Sequence, residues 1–247
     1  MEKRVKFLNT YVDSLTMNDT IKYIEKSIIN KECIQHVVIN AGKINLMQKD
    51  KELTKIINEC PLINADGQSI VWASKFLGNK LPERVAGIDI FINLIKLASE
   101  KGYKPYFFGA KDEVVKKVVK TFKETYPNLN IAGYRNGYFT DEESEVIAKD
   151  IRDSGADMLF VAFSSPKKEY WIKENMEIMK IPFAMGVGGS FDVIAGKTKR
   201  APKWMQKYGL EWFFRFIQEP KRMFRRYIIG NLKFTFLVLK NKLRGEK

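Results

Sequence analysis

Short apolar runs alternate with longer amphipathic stretches from the first residues to about position 196. Residues 5–12 predict a first strand. Thr16-Met17-Asn18-Asp19 then resembles a capping box, with Asp in place of Glu, and opens an amphipathic helix that reaches about Asn30. An apolar strand over 34–39 stops at Asn40, 41–60 predicts a helix, 62–65 a strand and 67–77 a helix. Beyond a turn-rich stretch at 78–87 the alternation continues with a helix at 88–101, a strand at 105–108, a helix at 112–126 and a strand at 129–132. A helix at about 141–154, a strand at 158–163, a helix at 167–179 and a strand at 183–187 complete it. Such alternation predicts an α/β domain with a mostly parallel sheet and helices on both faces. The strand ends at Asn40, Asp66, Gly109, Ser164 and Gly186 should share one sheet edge, where ligand sites of such folds collect.

After Gly196 the pattern changes. Residues 197–247 show no strand alternation. They interleave Trp204, Trp212, Phe213, Phe214, Phe216, Phe224 and Tyr227 with Arg and Lys, and Pro202 and Pro220 divide them into short helices. Basic and aromatic residues on opposite helix faces suit a helix lying in a membrane interface. Packing of Trp204 and Trp212 on the body is an equal alternative. Charge sharpens the division: of a formal net charge of +14, the last 51 residues contribute fifteen Lys and Arg against three Glu. The body is therefore close to neutral, and the tail is a basic attachment to something anionic, whether membrane, nucleic acid or a phosphorylated substrate. The expected division is a body over 1–196 and a helical appendage over 197–247.

No segment has the roughly 18 uninterrupted apolar residues of a spanning helix, and the first residues do not read as a secretion signal. Cys33 and Cys60, each beside apolar residues, are expected to be buried thiols of a reducing cytoplasm, and the single histidine, His36, a structural one.

Among candidate chemical groups, Asp66 ends a strand just before a helix, which by itself favours a helix cap; a general base at the mouth of a cleft is the alternative. Gly186-Val187-Gly188-Gly189-Ser190 follows a strand and opens a helix, so its backbone N–H groups could cradle a phosphate. Its glycine pattern and its place at the last strand differ from a dinucleotide-binding fingerprint, and no Walker lysine motif occurs. Arg84, alone among apolar neighbours in 81–87, suits either a surface ion pair or a phosphate. Pro166-Lys167-Lys168-Glu169 has the same two meanings. No Asp-x-Asp and no His/Cys/acid cluster with ligand spacing is present, so metal-dependent chemistry is not expected.

Six segments in order, AsnAlaAspGly at 64–67, LPERVAGID at 81–89, GYF at 137–139, PK-x-E at 166–169, MGVGGSFDVIAGKTKRAP at 185–202 and GLEW-x2-R-x3-EP at 209–220, resemble the WecG/TagA/CpsF family of bacterial glycosyltransferases over essentially the whole chain. The resemblance implies a Rossmann-like fold of the GT-E type. It also implies inverting, metal-independent transfer of a sugar, N-acetylmannosamine or its uronic acid, from UDP to the N-acetylglucosamine of an undecaprenyl-diphosphate lipid. The polymer so begun would be a teichoic acid or another surface polysaccharide. No cofactor is implied, and the basic appendage would dock peripherally on the inner face of the plasma membrane and help close the site. By the same resemblance Asp66 becomes the general base and Arg84 a second catalytic residue. Asn40, Val38, Gln68, Gly109, Tyr138, Lys167, Lys168 and Glu169 fall in substrate-binding segments. Gly186, Gly188, Gly189, Ser190 and Asp192 would contact UDP, and Arg215, Arg222 and Arg225 would reach over the pocket.

The sequence departs from the family at Val38, where threonine is usual, and at Lys168, where glutamine is usual. A lysine there would suit a negatively charged or differently substituted donor such as a uronic acid or glucose. A non-catalytic module whose tail binds lipid or single-stranded nucleic acid is the alternative from another class. The tail's apolar content and the full set of strand-end residues weigh against nucleic acid. An exposed aromatic tail leaves self-association away from the membrane an even choice.

Overall fold

The computed structural model describes residues 4–244. In chain order the elements are β1 (Arg4–Phe7), β2 (Thr10–Asp13), α1 (Met17–Ile29), β3 (Ile34–Ile39), α2 (Ala41–Met47), α3 (Lys51–Glu59), β4 (Leu62–Ala65), α4 (Gln68–Leu77), α5 (Gly87–Lys101), β5 (Pro105–Gly109) and α6 (Asp112–Thr125). There follow β6 (Gly133–Arg135), α7 (Ser144–Asp153), β7 (Met158–Ala162), α8 (Lys167–Met179), β8 (Phe183–Gly186), α9 (Ser190–Ile194), α10 (Lys203–Lys207), α11 (Glu211–Gln218), α12 (Pro220–Phe224) and, after one π-helical turn, α13 (Gly230–Leu243). The central sheet is six-stranded and parallel throughout, in the order β4-β3-β8-β7-β5-β6, and its helices cover both faces. The α/β class expected from the alternation is observed, and the parallel sheet agrees with the Rossmann-like fold that the family resemblance implies.

Period-two alternation within the strands sorts the core. Ile34, Phe107, Phe160, Phe183 and Met185 face α1, α5 and α6, around Phe91, whose ring lies 4.6 Å from Phe160, 5.4 Å from Phe122 and 5.8 Å from Phe191. On the opposite face Phe108, Leu159, Val161 and Ala184 pack under α7 and α8. Val37, Ile39, Ile63 and Ala65 pack beside them under α2, α3 and α4. Phe234 and Val238 of α13 are buried in that last cluster, with the Phe234 ring 6.3 Å from Phe7, so the end of the described chain rests on the body. Among the described residues no helix is long and apolar enough to cross a membrane.

Four expectations need correction. The strand over 5–12 is a two-stranded antiparallel hairpin, because Leu8 takes a left-handed conformation and Phe7 pairs with Thr10 across a two-residue turn. The helix over 41–60 is two helices, since the Asp50 carboxylate accepts the Leu53 N–H at 2.9 Å and starts a second one. The sixth strand of the central sheet is Gly133–Arg135 rather than 129–132; Leu129 instead fills the core beneath α6. Cys33 is exposed in the turn before β3, whereas Cys60 is buried and its thiol is pushed up to about 12 by burial. The capping box at Thr16 and Asp19 forms as expected.

His36 lies inside β3, its ring 6.1 Å from that of Phe183, and its Nε2 shares a hydrogen bond with Asn64 Oδ1 at 2.9 Å. Asn64 in turn donates to Thr20 Oγ1, tying β3, β4 and α1 together. Burial lowers the imidazole pKa to about 4, outweighing the Asn64 contact. The unfolded chain therefore takes up this proton near pH 6.5, well before the folded one does. The stabilisation is complete above about pH 6.5 and is lost as pH falls toward 4, amounting to about 3 kcal/mol. In urea titrations across pH, His36→Gln is expected to remove that slope while the wild type keeps it.

Candidate active site

Parallel strands deliver their carboxyl ends to one edge, and a cleft of about 2070 Å³ opens there. From the sequence candidates it gathers Val38, Asn40, Asp66, Gln68, Arg84, Tyr138, Lys167, Lys168, Gly186, Gly188, Gly189, Ser190, Asp192 and Arg215. Gly109 and Glu169 are not among its lining. Gly109 is pressed against the Ala162 backbone, where a Cβ would come within 2.9 Å, and Glu169 is buried beneath the floor. The side chains of Arg222 and Arg225 lie outside the described residues.

Asp66 does not cap the helix that follows it. α4 starts at Gln68, with Gly67 at its N-cap position and no side-chain cap, and Asp66 Oδ1 instead accepts the N–H of Gly87, the first residue of α5, at 3.0 Å. Its own N–H donates to the Ile39 carbonyl, which fixes it beside β3. Asn40, at the end of β3, caps α2 by accepting the Lys43 N–H at 3.1 Å. Val38 faces Gly87, where an added Cβ would stand 3.3 Å from its Cγ2; the contact is apolar and tight.

Across the cleft, the Gly186–Ser190 turn is shaped by two close approaches. A Cβ on Gly186 would collide with the stem of Lys168, and one on Gly189 would come within 2.9 Å of Arg215 Nη2. The Arg215 guanidinium thus lies over the glycine turn, and its Nε is buried with no hydrogen-bond partner among the described residues. Lys167 stands over the Phe139 ring at 4.7 Å and the Phe163 ring at 5.3 Å, with Tyr138 exposed nearby at the rim.

Beneath the floor is a buried ion cluster. Glu169 Oε1 accepts from Lys43 Nζ at 2.6 Å and from Lys168 Nζ at 2.9 Å, while Ser165 Oγ also donates to it and is itself approached by Lys168. Burial alone would raise the Glu169 pKa, but the two ammonium groups outweigh it and hold the carboxyl below its ordinary value. Lys168 lines the cleft and shares the single Glu169 carboxylate with Lys43, so the cluster keeps one positive charge in excess. Lys43 was not among the sequence candidates. Only its position three residues after Asn40 marked it, and spacing does not foretell a partner 126 residues away.

A second ion chain joins the appendage to the body. Arg84 Nη1 meets Glu211 Oε2 at 2.6 Å, Glu211 Oε1 meets Arg200 Nε at 3.3 Å, and Arg200 Nη1 meets Asp89 Oδ1 at 2.7 Å. Arg84 is thus ion-paired through Nη1, one of the two readings its sequence context allowed, and it joins α11 to the stretch before α5 while lining the cleft.

The family model for the glycosyl transferase WecG/TagA/CpsF family matches residues 5–247. The chain belongs to this family. This glycosyltransferase is 36% identical over 234 residues, 94% of its length and 89% of the relative's, to the N-acetylglucosaminyldiphosphoundecaprenol N-acetyl-beta-D-mannosaminyltransferase of Bacillus subtilis. It is 34% identical over 238 residues, 96% of its length and 91% of the relative's, to the protein of the same name in Bacillus spizizenii. It is a hexose-transferring enzyme, and the cleft just described is its candidate active site.

Removing the carboxylate of a buried ion cluster leaves ammonium groups without a counter-charge, which typically costs about 3–5 kcal/mol. Glu169→Ala is expected to lower stability by that order in urea denaturation. Lys168→Met, which leaves the Lys43–Glu169 pair intact, is expected to cost clearly less.

Proposed function

We propose that this enzyme transfers N-acetylmannosamine from UDP to the N-acetylglucosamine of an undecaprenyl-diphosphate lipid. The reaction would be a single inverting displacement without a metal, carried out on the inner face of the bacterial plasma membrane. The observation that carries the proposal is the convergence in one cleft of the Asp66 carboxylate and of a glycine turn overlain by the Arg215 guanidinium. The activity named for both Bacillus relatives supplies donor sugar and acceptor.

In this mechanism Asp66 Oδ1 stays on the Gly87 N–H and Oδ2 takes the proton of the acceptor hydroxyl. The acceptor oxygen forms a bond to the anomeric carbon from the face opposite UDP, and the bond from that carbon to the diphosphate oxygen breaks. UDP leaves carrying the electron pair. Its charge is met by the backbone of Gly186–Ser190 and by Arg215, which take the place a divalent ion holds in other sugar transfers. The basic appendage supplies the electrostatic contact with an anionic membrane, a contact that weakens as salt rises.

Asp66→Asn keeps an oxygen for the Gly87 N–H, so the fold should persist while kcat falls by roughly 10²–10⁴. Transfer from UDP-N-acetylmannosamine to a diphosphate-linked N-acetylglucosamine lipid checks this, and undiminished turnover would remove Asp66 from the role. In the same assay EDTA is expected to leave the rate unchanged. Arg215→Ala should weaken UDP binding, measured by calorimetry, by about tenfold, the value of one charge-assisted contact of about 1.5 kcal/mol.

A further inference from the structure

The cleft is longer than the site needs. Its outer arm runs between α4, α2 and α13 and is walled by large apolar side chains, among them Trp72 and Phe76, which are 58% and 50% exposed. α4 begins two residues beyond Asp66, and Ser69, Trp72, Ala73 and Phe76, spaced as one helix face, all line the cleft. That stripe leads outward from the reacting end over roughly 10 Å of helix.

α13 also lines this arm and is apolar on two sides. Phe234 and Val238 are buried against the body, while Leu232, Phe236 and Leu239 line the cleft and remain exposed, Phe236 by 67%. Leu46 of α2 adds to the same surface. Apolar residues that face a common recess while staying in water mark a binding surface rather than a core. The charges beside it have one sign: α4 and α13 carry lysines and no Asp or Glu, and Lys242 Nζ stands 5.6 Å from the centre of the Phe76 ring. The acids of the cleft, Asp66, Asp192 and Glu211, belong to the catalytic end and the α11 contact.

We propose that this arm, lined by Trp72, Phe76, Leu232, Phe236 and Leu239, holds the first isoprenoid units of the acceptor's lipid chain. The proposal rests on the acceptor assigned above. A sugar hydroxyl at Asp66 places the diphosphate outward along α4, and the chain attached to it then enters an apolar trough rimmed by lysines.

The test compares two acceptors that carry the same diphosphate-linked N-acetylglucosamine, one on a farnesyl chain and one on a methyl group, without vesicles or detergent. In the wild type the farnesyl acceptor should show a KM at least about tenfold lower, since burying even part of such a chain stabilises the complex by more than a kilocalorie. In the double variant Trp72→Ser, Phe76→Ser that ratio should collapse toward one. A wild-type ratio near one, or a variant that retains the ratio, would overturn the proposal. So would a variant that keeps the ratio but no longer floats with plain anionic vesicles, which would make the arm a bilayer contact. If the wild type transferred sugar to neither acceptor, the acceptor assignment itself would fail. The trough is then judged separately by titrating farnesyl diphosphate: quenching of tryptophan fluorescence that is present in the wild type and absent in Trp72→Phe supports it, and equal quenching in both overturns it.

Discussion

One buried carboxylate sets the floor on which the site is built. Glu169 lies between the ammonium groups of Lys43 and Lys168, and so joins α2, which follows β3, to α8, which follows β7, on either side of β8. Three charges out of water are tolerated only because each has a partner in contact, so the cluster fixes relative positions more than it adds stability. The stem of Lys168, held in that cluster, covers Gly186, and the absence of a side chain there lets the glycine turn sit close above it. Asn40 and Asp66, on the neighbouring strands, inherit their placement from the same floor.

The second constraint is the joining of appendage and body. The chain from Arg84 through Glu211 and Arg200 to Asp89 places α11 over the start of α5, where Asp66 is also fastened. Arg215, one turn further along α11, arrives over Gly189 by the same geometry. The glycine turn, Asp66 and α11 are thus coupled through few contacts. On the body side, α13 continues this attachment: Asn45 donates to the Gly230 carbonyl at 2.7 Å, and Phe234 packs on Phe7. The appendage is at once a roof of the cleft and a wall of its outer arm.

Much of the fold was legible because strand and helix periods differ. The buried parallel strands read as short apolar runs such as 34–39 and 158–162, and capping at Thr16 and Asp19 is a local hydrogen-bond pattern visible in four residues. The errors fell where one residue's backbone decides the outcome. Leu8 in a left-handed conformation makes a hairpin from what reads as one strand, and Asp50 divides one amphipathic stretch into two helices. The candidate residues Asp66, Asn40 and Gly186–Ser190 were legible because a parallel sheet sends every strand end to the same edge.

What the sequence by itself determined is the order of elements, the side of the sheet on which the site lies and the concentration of positive charge after residue 196, since each follows from local period or composition. What only the tertiary structure decided is which charges are available. Lys168 and Arg84, equivalent in sequence to any surface cation, are engaged by Glu169 and Glu211, while Arg215 is left over the glycine turn. The same holds for Asp66, whose carboxylate serves α5 rather than the adjacent α4, and for Trp72 and Phe76, which line one cleft with residues of α13. Electrostatic and apolar partners are chosen by proximity in space, and residues more than a hundred positions apart meet only after the sheet has formed.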